Sequence, residues 1–84
     1  MYAINWSNRA KNQFRKIDRK EQGTIIDAVD ELENFPNTKN VIALTKHEYG
    51  YRMRVGNYRV MFDADTTVRI IEIQRVRKRD EQTY

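Results

Sequence analysis

Three arginines, Arg52, Arg54 and Arg59, lie in the segment Tyr51-Arg52-Met53-Arg54-Val55-Gly56-Asn57-Tyr58-Arg59-Val60-Met61-Phe62. Arginine is a permanently charged, planar fork of donors matched to phosphate and carboxylate oxygens. Their spacing decides whether they act together. Gly56-Asn57 between two alternating runs predicts a hairpin with a two-residue turn. That register pairs Val55 with Tyr58, Met53 with Val60 and Tyr51 with Phe62, all on one apolar face. The other face then carries Arg52 opposite Met61 and Arg54 directly opposite Arg59. Like charges facing each other across a ladder are destabilising. A sheet that keeps them has an anion to place between them, and for a basic chain the natural one is phosphate.

The elements that must position this hairpin follow from the rest of the pattern. Tyr2-Ala3-Ile4-Asn5-Trp6 reads as a short first strand. Ser7 is a natural N-cap for a helix to about Ile17, with Ala10, Phe14 and Ile17 on its apolar face. Asp18 followed by Glu21 has the form of a capping box opening a second helix. Ile25, Ala28, Val29, Leu32 and Phe35 give that helix its buried stripe, and Pro36 stops it after Phe35. Val41 to Lys46 is either a short strand or an extended approach to one. The hairpin spans about 49–55 and 58–63, Ala64-Asp65-Thr66 turns, and Thr67 to Val76 forms the last strand. That strand has apolar residues on both parities, which implies burial on both faces or a bulge. The expected fold is α+β: a two-helix hairpin on one face of a curved antiparallel sheet, in the order β-α-α-β-β-β. The arginine face then points away from the helices as a concave basic floor. Trp6, Tyr2, Phe14, Phe35 and Phe62 are expected in the core.

Eighty-four residues make a single domain, 1–84. The chain has no cysteine, which excludes disulfides and Cys-based zinc sites, and its one histidine, His47, cannot hold a metal alone. No cofactor is expected. No apolar run is long enough to span a membrane and no signal-peptide pattern opens the chain, so the expected location is the cytoplasm. The Asn5-Trp6-Ser7 sequon is then a chance match. Net charge is +4, unevenly spread. Residues 1–20 hold six Lys or Arg and one acid, residues 21–35 five acids and no base, and residues 39–84 ten Lys or Arg and six acids. One acidic element beside a basic remainder is the electrostatic footprint of a nucleic-acid binder, or of a merely well-solvated surface.

The β-α-α-β-β-β order, the YRMRVGNYRVMF hairpin, the closing VRIIEIQRVRKRD strand and the final Tyr84 together resemble the RelE/ParE superfamily. These are toxins of bacterial type II toxin–antitoxin modules. The resemblance covers nearly the whole chain and is most specific over residues 51–84. It implies one of two activities. The RelE branch cuts messenger RNA in the ribosomal A site, without metal; the ParE branch poisons DNA gyrase and has no nuclease chemistry. A decayed, non-toxic nucleic-acid binder is a third reading. The dense basic tail with a terminal tyrosine favours the nuclease, an mRNA interferase.

Metal-free RNA cleavage requires a base for the 2′-hydroxyl, cations for the pentacoordinate phosphate and an acid for the leaving 5′-oxygen. The resemblance assigns catalysis to Arg54, Arg59, Arg79 and Tyr84, and RNA or phosphate binding to Lys46, Arg52, Arg77 and Lys78. Arg59 follows Tyr58 as the RelE-like arginine does and would stabilise the transition-state phosphate. Arg52 and Arg54 stand where relatives often carry lysines; as arginines they bind phosphate rather than act as bases. Tyr84 resembles the late tyrosine that stacks on a base or moves a proton. With the chain stopping there, a terminal carboxylate beside the phenol would repel RNA. Counting back from Tyr84 selects Lys78 as the remaining site cation; the shorter spacing of other branches selects Arg79. His47 is expected to be structural or exposed, and Glu48 and Glu72 to pair with arginines. The implied partners are a cognate antitoxin, the ribosome with its message, and operator DNA when the antitoxin is bound. The acids of the second helix would face away from RNA, toward basic antitoxin residues.

Overall fold

Gly56 takes φ of 56° and Asn57 stays at negative φ, the pattern of a II′ turn, which matches the right-handed twist of the strands it joins. In this computed structural model, which describes residues 1–79, the turn joins β3 (Tyr51–Val55) to β4 (Tyr58–Asp65). The pairs are those the alternation dictates: Val55 with Tyr58, Arg54 with Arg59, Met53 with Val60, Arg52 with Met61 and Tyr51 with Phe62.

Around this hairpin lie β1 (Ala3–Trp6), α1 (Asn8–Arg15), α2 (Arg19–Asp30), a 3₁₀ turn at Glu31–Asn34, β2 (Val41–Ala43) and β5 (Ile70–Lys78). The α+β class and the β-α-α-β-β-β order fit, the ambiguous segment after residue 40 resolving as the three-residue β2 at the sheet edge. The sheet runs β1-β5-β4-β3-β2. It is mixed rather than wholly antiparallel, because β1 enters beside β5 in parallel.

Ser7 caps α1: its hydroxyl accepts from the Ala10 amide at 3.1 Å. The capping box at α2 does not form. Asp18 occupies the N-cap but makes no side-chain bond. The junction is held instead by Gln22, whose amide donates to the Phe14 carbonyl at 3.0 Å. The second helical run tightens into the 3₁₀ turn before Phe35 rather than continuing as α-helix. Ile25, Val29 and Leu32 meet Met53, Val55, Val60, Phe62, Ile71, Ile73 and Val76 in one buried cluster. Tyr2, Phe35 and Phe62 are buried, while Trp6 and Phe14 pack edge to face against it, ring centroids 5.3 Å apart.

The last strand starts later than its apolar run suggests. The Asp65 carboxylate accepts from the amides of Thr67 and Val68, at 2.9 and 3.2 Å, drawing them into a turn instead of a ladder. Val68 and Ile70 are consequently exposed. The two parities of β5 come from a bulge: Met61 pairs with Arg75 and Phe62 with Ile73, leaving Gln74 over.

Candidate nucleic-acid interface

The bulge at Gln74 lets Ile71 and Ile73 face the helices before it and Val76 after it. It also turns Arg75 and Arg77 onto the opposite, open face. Two rows of side chains then cross the sheet there. Arg54, Arg59 and Arg77 lie side by side on β3, β4 and β5; the next row is Ile42, Arg52, Met61 and Arg75. The predicted pair of facing arginines is therefore three abreast. Arg54 donates its amide outward to the Asn40 carbonyl at 3.0 Å, so Arg54 and Arg59 form the non-hydrogen-bonded kind of pair, in which facing side chains come closest.

Arg54 and Arg77 are exposed; Arg52, Arg59 and Arg75 are half-buried. Within the described residues, no hydrogen bond engages the guanidinium of any of these five, and the buried Nε of Arg75 has no partner. Five permanent cations on a rigid sheet concentrate charge where an anion that spreads over several oxygens would fit.

Arg75 was not among the expected site residues. The bulge that places it was one of two readings of its strand, and under an unbroken register its side would be reversed. Of the expected residues, Arg52, Arg54, Arg59 and Arg77 come together. Arg79 joins the same end of the sheet: its amide donates to the Asn57 carbonyl and its guanidinium to the Gly56 carbonyl at 3.4 Å. Lys78 does not join them. It pairs with Tyr58 on the helix-bearing face. Lys46 is also apart, in the loop before β3, at the far end of that strand from the turn. Tyr84 lies outside the described residues.

His47 is structural, its Nδ1 accepting from the Tyr49 amide at 3.1 Å. Its loop is tied down further by Arg9, which donates to the Tyr49 hydroxyl at 3.2 Å. Among the described residues Glu72 pairs with no arginine; both its oxygens accept from Asn5 at 3.0 Å. Among the described residues no group of three or more His, Cys, Asp or Glu side chains is disposed to hold a metal, and no helix is long and apolar enough to cross a membrane.

Comparison with known proteins gives three findings. The sequence model of the family described as "ParE toxin of type II toxin-antitoxin system, parDE" matches residues 4–83. No curated protein sequence matches the chain. Among solved structures, the fold superposes on the isolated RelE toxin of E. coli with a TM-score of 0.81 at 16% identity, covering 99% of this chain and 88% of that one. A chain of the archaeal RelE-RelB complex of Pyrococcus horikoshii OT3 gives 0.79 at 22%, covering 96% and 98%. One from the RelB-RelE antitoxin-toxin complex of Methanococcus jannaschii gives 0.73 at 20%, covering 90% and 91%. At these identities the likeness establishes the fold.

Proposed function

The chain belongs to the ParE toxin family of type II toxin–antitoxin systems and shares its fold with RelE toxins; on the arginine row it carries, we propose that it is a metal-independent endonuclease acting on messenger RNA in the ribosome. The carrying observation is the three-arginine row. In such a reaction the 2′-oxygen attacks phosphorus in line, losing its proton, while the bond to the 5′-oxygen breaks and that oxygen gains one. Negative charge builds on the non-bridging oxygens. Arg59, in the centre of the row, meets that charge, with Arg54 and Arg77 on either side and Arg52 and Arg75 holding the flanking backbone. Arg79 reaches the leaving-group side from the turn.

Arginine scarcely gives up a proton near neutral pH. The row therefore stabilises the transition state but cannot be the base. We assign proton transfer or base stacking to Tyr84, and alignment of the 2′-oxygen to the ribosome, whose positioning of the message supplies what the site lacks. The working unit is the single domain 1–84, in the cytoplasm, held inactive by a cognate antitoxin; the archaeal relatives crystallised with RelB support that partner. The antitoxin complex would also bind operator DNA.

A second reading has a specific observation in its favour: the matching family is that of ParE. On it the same cationic face would inhibit DNA gyrase by binding alone. The two separate on induced expression in bacteria with primer-extension mapping of abundant messages, wild type beside Arg59→Ala. New 5′ ends on translated messages, absent with Arg59→Ala, are the expected result. Growth arrest with intact messages would overturn the nuclease reading in favour of gyrase, and no arrest would overturn both.

A further inference from the structure

β5 outruns its parallel neighbour. β1 pairs with it only as far as Ile73, and the Ser7 amide closes that ladder on the Ile73 carbonyl at 2.9 Å. Beyond that point α1 lies along the bare edge, and Gln13 takes the place of a strand: its side-chain oxygen accepts from the Val76 amide at 2.8 Å. Between the end of α1 and this edge is a cleft of about 530 Å³, lined by Gln13, Lys16, Ile17, Tyr58 and the run Arg75 to Lys78. Four of its lining residues are cations, Lys16, Arg75, Arg77 and Lys78, and none is an acid.

Two features make this cleft more than a solvated charge cluster. Tyr58 and Lys78 pair across the strands on the helix-bearing face, which sets an exposed cation beside an aromatic ring in the cleft wall. The helix end that borders the cleft would ordinarily repel an anion through its free carbonyls. Here two of those carbonyls are occupied: Gln13 accepts from the Lys16 amide, and Phe14 from the Ile17 amide and the Gln22 side chain. Arg77 belongs both to the cleft and to the arginine row, so the cationic surface continues from the open face around the β5 edge.

We propose that this cleft is a second phosphate site, taking a phosphodiester of the same RNA strand whose scissile phosphate lies on the arginine row, with Lys16 and Lys78 as its ligands and the Tyr58 ring as a platform for a base. It rests on the nuclease reading for the identity of the strand. Lys78, which the sheet turns away from the row, then has a ligand of its own. A chain running from row to cleft must bend around an edge, which single-stranded RNA does and a duplex does not.

The test is fluorescence anisotropy of a short labelled oligouridylate titrated with the full chain between about 50 and about 200 mM salt. Variants are Lys16→Gln with Lys78→Gln, and Lys16→Gln alone. The double variant should bind on the order of tenfold more weakly, and the slope of log affinity against log salt should fall by about 0.7 for each lost phosphate contact. Wild-type affinity and slope in the double variant would overturn the proposal. Should the double variant fail to fold, Lys16→Gln alone decides, since Lys16 is exposed. An equal loss with duplex DNA as probe would overturn the single-strand assignment. Wild-type protein that shows the cleft dependence yet cuts no message sinks the nuclease reading only; cutting without cleft dependence sinks the cleft only.

Discussion

The open face of the sheet has two halves that treat charge in opposite ways. Near the hairpin turn, Arg54, Arg59 and Arg77 stand abreast. Two rows away, Asp63 pairs with Glu72 across the same strands, another like-charge contact. There each carboxylate is answered. Asp63 accepts from the Gly50 amide at 2.7 Å and from Gln74 at 3.2 Å, and Glu72 from Asn5. The acidic half is a finished structural device that anchors the 44–50 loop. Among the described residues the basic half has no such answer for its guanidinium groups. Facing like charges are thus not by themselves a functional mark, and the functional proposal rests on those left without partners.

The largest effect that tests this contrast is on activity. Arg59→Ala removes the central donor of the row, and message cleavage should fall by about 10²–10³-fold, the usual consequence of losing one preorganised donor to a developing oxyanion. Thermal stability should hold or rise. A drop of many degrees in the melting temperature would make the row a structural element like its acidic counterpart and end the comparison.

Next is Asp63→Ala, which should act in the opposite sense. It strands the half-buried Gly50 amide and Gln74 side chain, at a cost of about 1–3 kcal/mol. For a domain of this size each kcal/mol lowers the melting temperature by about 4–8 °C. Circular dichroism melting reads this directly, and RNA binding at low temperature should survive.

What was legible in the sequence divides along the same line. The Gly56-Asn57 turn fixed every pair of the hairpin, because a two-residue loop leaves one register and a shift of one would have put Met53, Val60 and Phe62 in water. Ser7 was legible because a cap is local. The bulge at Gln74 was only half legible: the mixed parity of β5 allowed it, but not its position, so Arg75 was missed and Lys78 was grouped with a row it does not join. Gly50 meets Asp63 by continuing the hairpin register one step past Tyr51 and Phe62, but Asn5 meets Glu72 only because β1 enters in parallel, and no local pattern encodes that.

A smaller effect, on stability, comes from Arg54→Thr. Relieving the contact with Arg59 should stabilise the free protein by about 0.2–1 kcal/mol. Inorganic phosphate should raise the melting temperature of the wild type more than that of this variant, because ligand binding to the folded state stabilises in proportion to its occupancy. A variant less stable than wild type in phosphate-free buffer would mean that the three arginines are not in conflict.

The smallest effect belongs to Asn5→Ala, and it sharpens the comparison within the acidic half. Asn5 and Asp63 belong to the same end of the open face, and each lies in a bond between an amide and a carboxylate. They differ in what holds the donor and in how much water competes. Gly50 donates from a backbone amide whose position is set by the strand that follows, in a half-buried contact. Asn5 donates from a side chain on the short edge strand β1, in an exposed contact where water replaces the lost donor at little cost. Its removal should therefore cost about 0.2–0.5 kcal/mol, the lower part of the range for cross-strand pairs. A loss equal to that of Asp63→Ala would show that the Asn5–Glu72 contact, rather than the Asp63 cluster, secures that end of the sheet by pinning β1 to β5. The finished character of the acidic half would then come from how β1 docks, not from the anchoring of the loop.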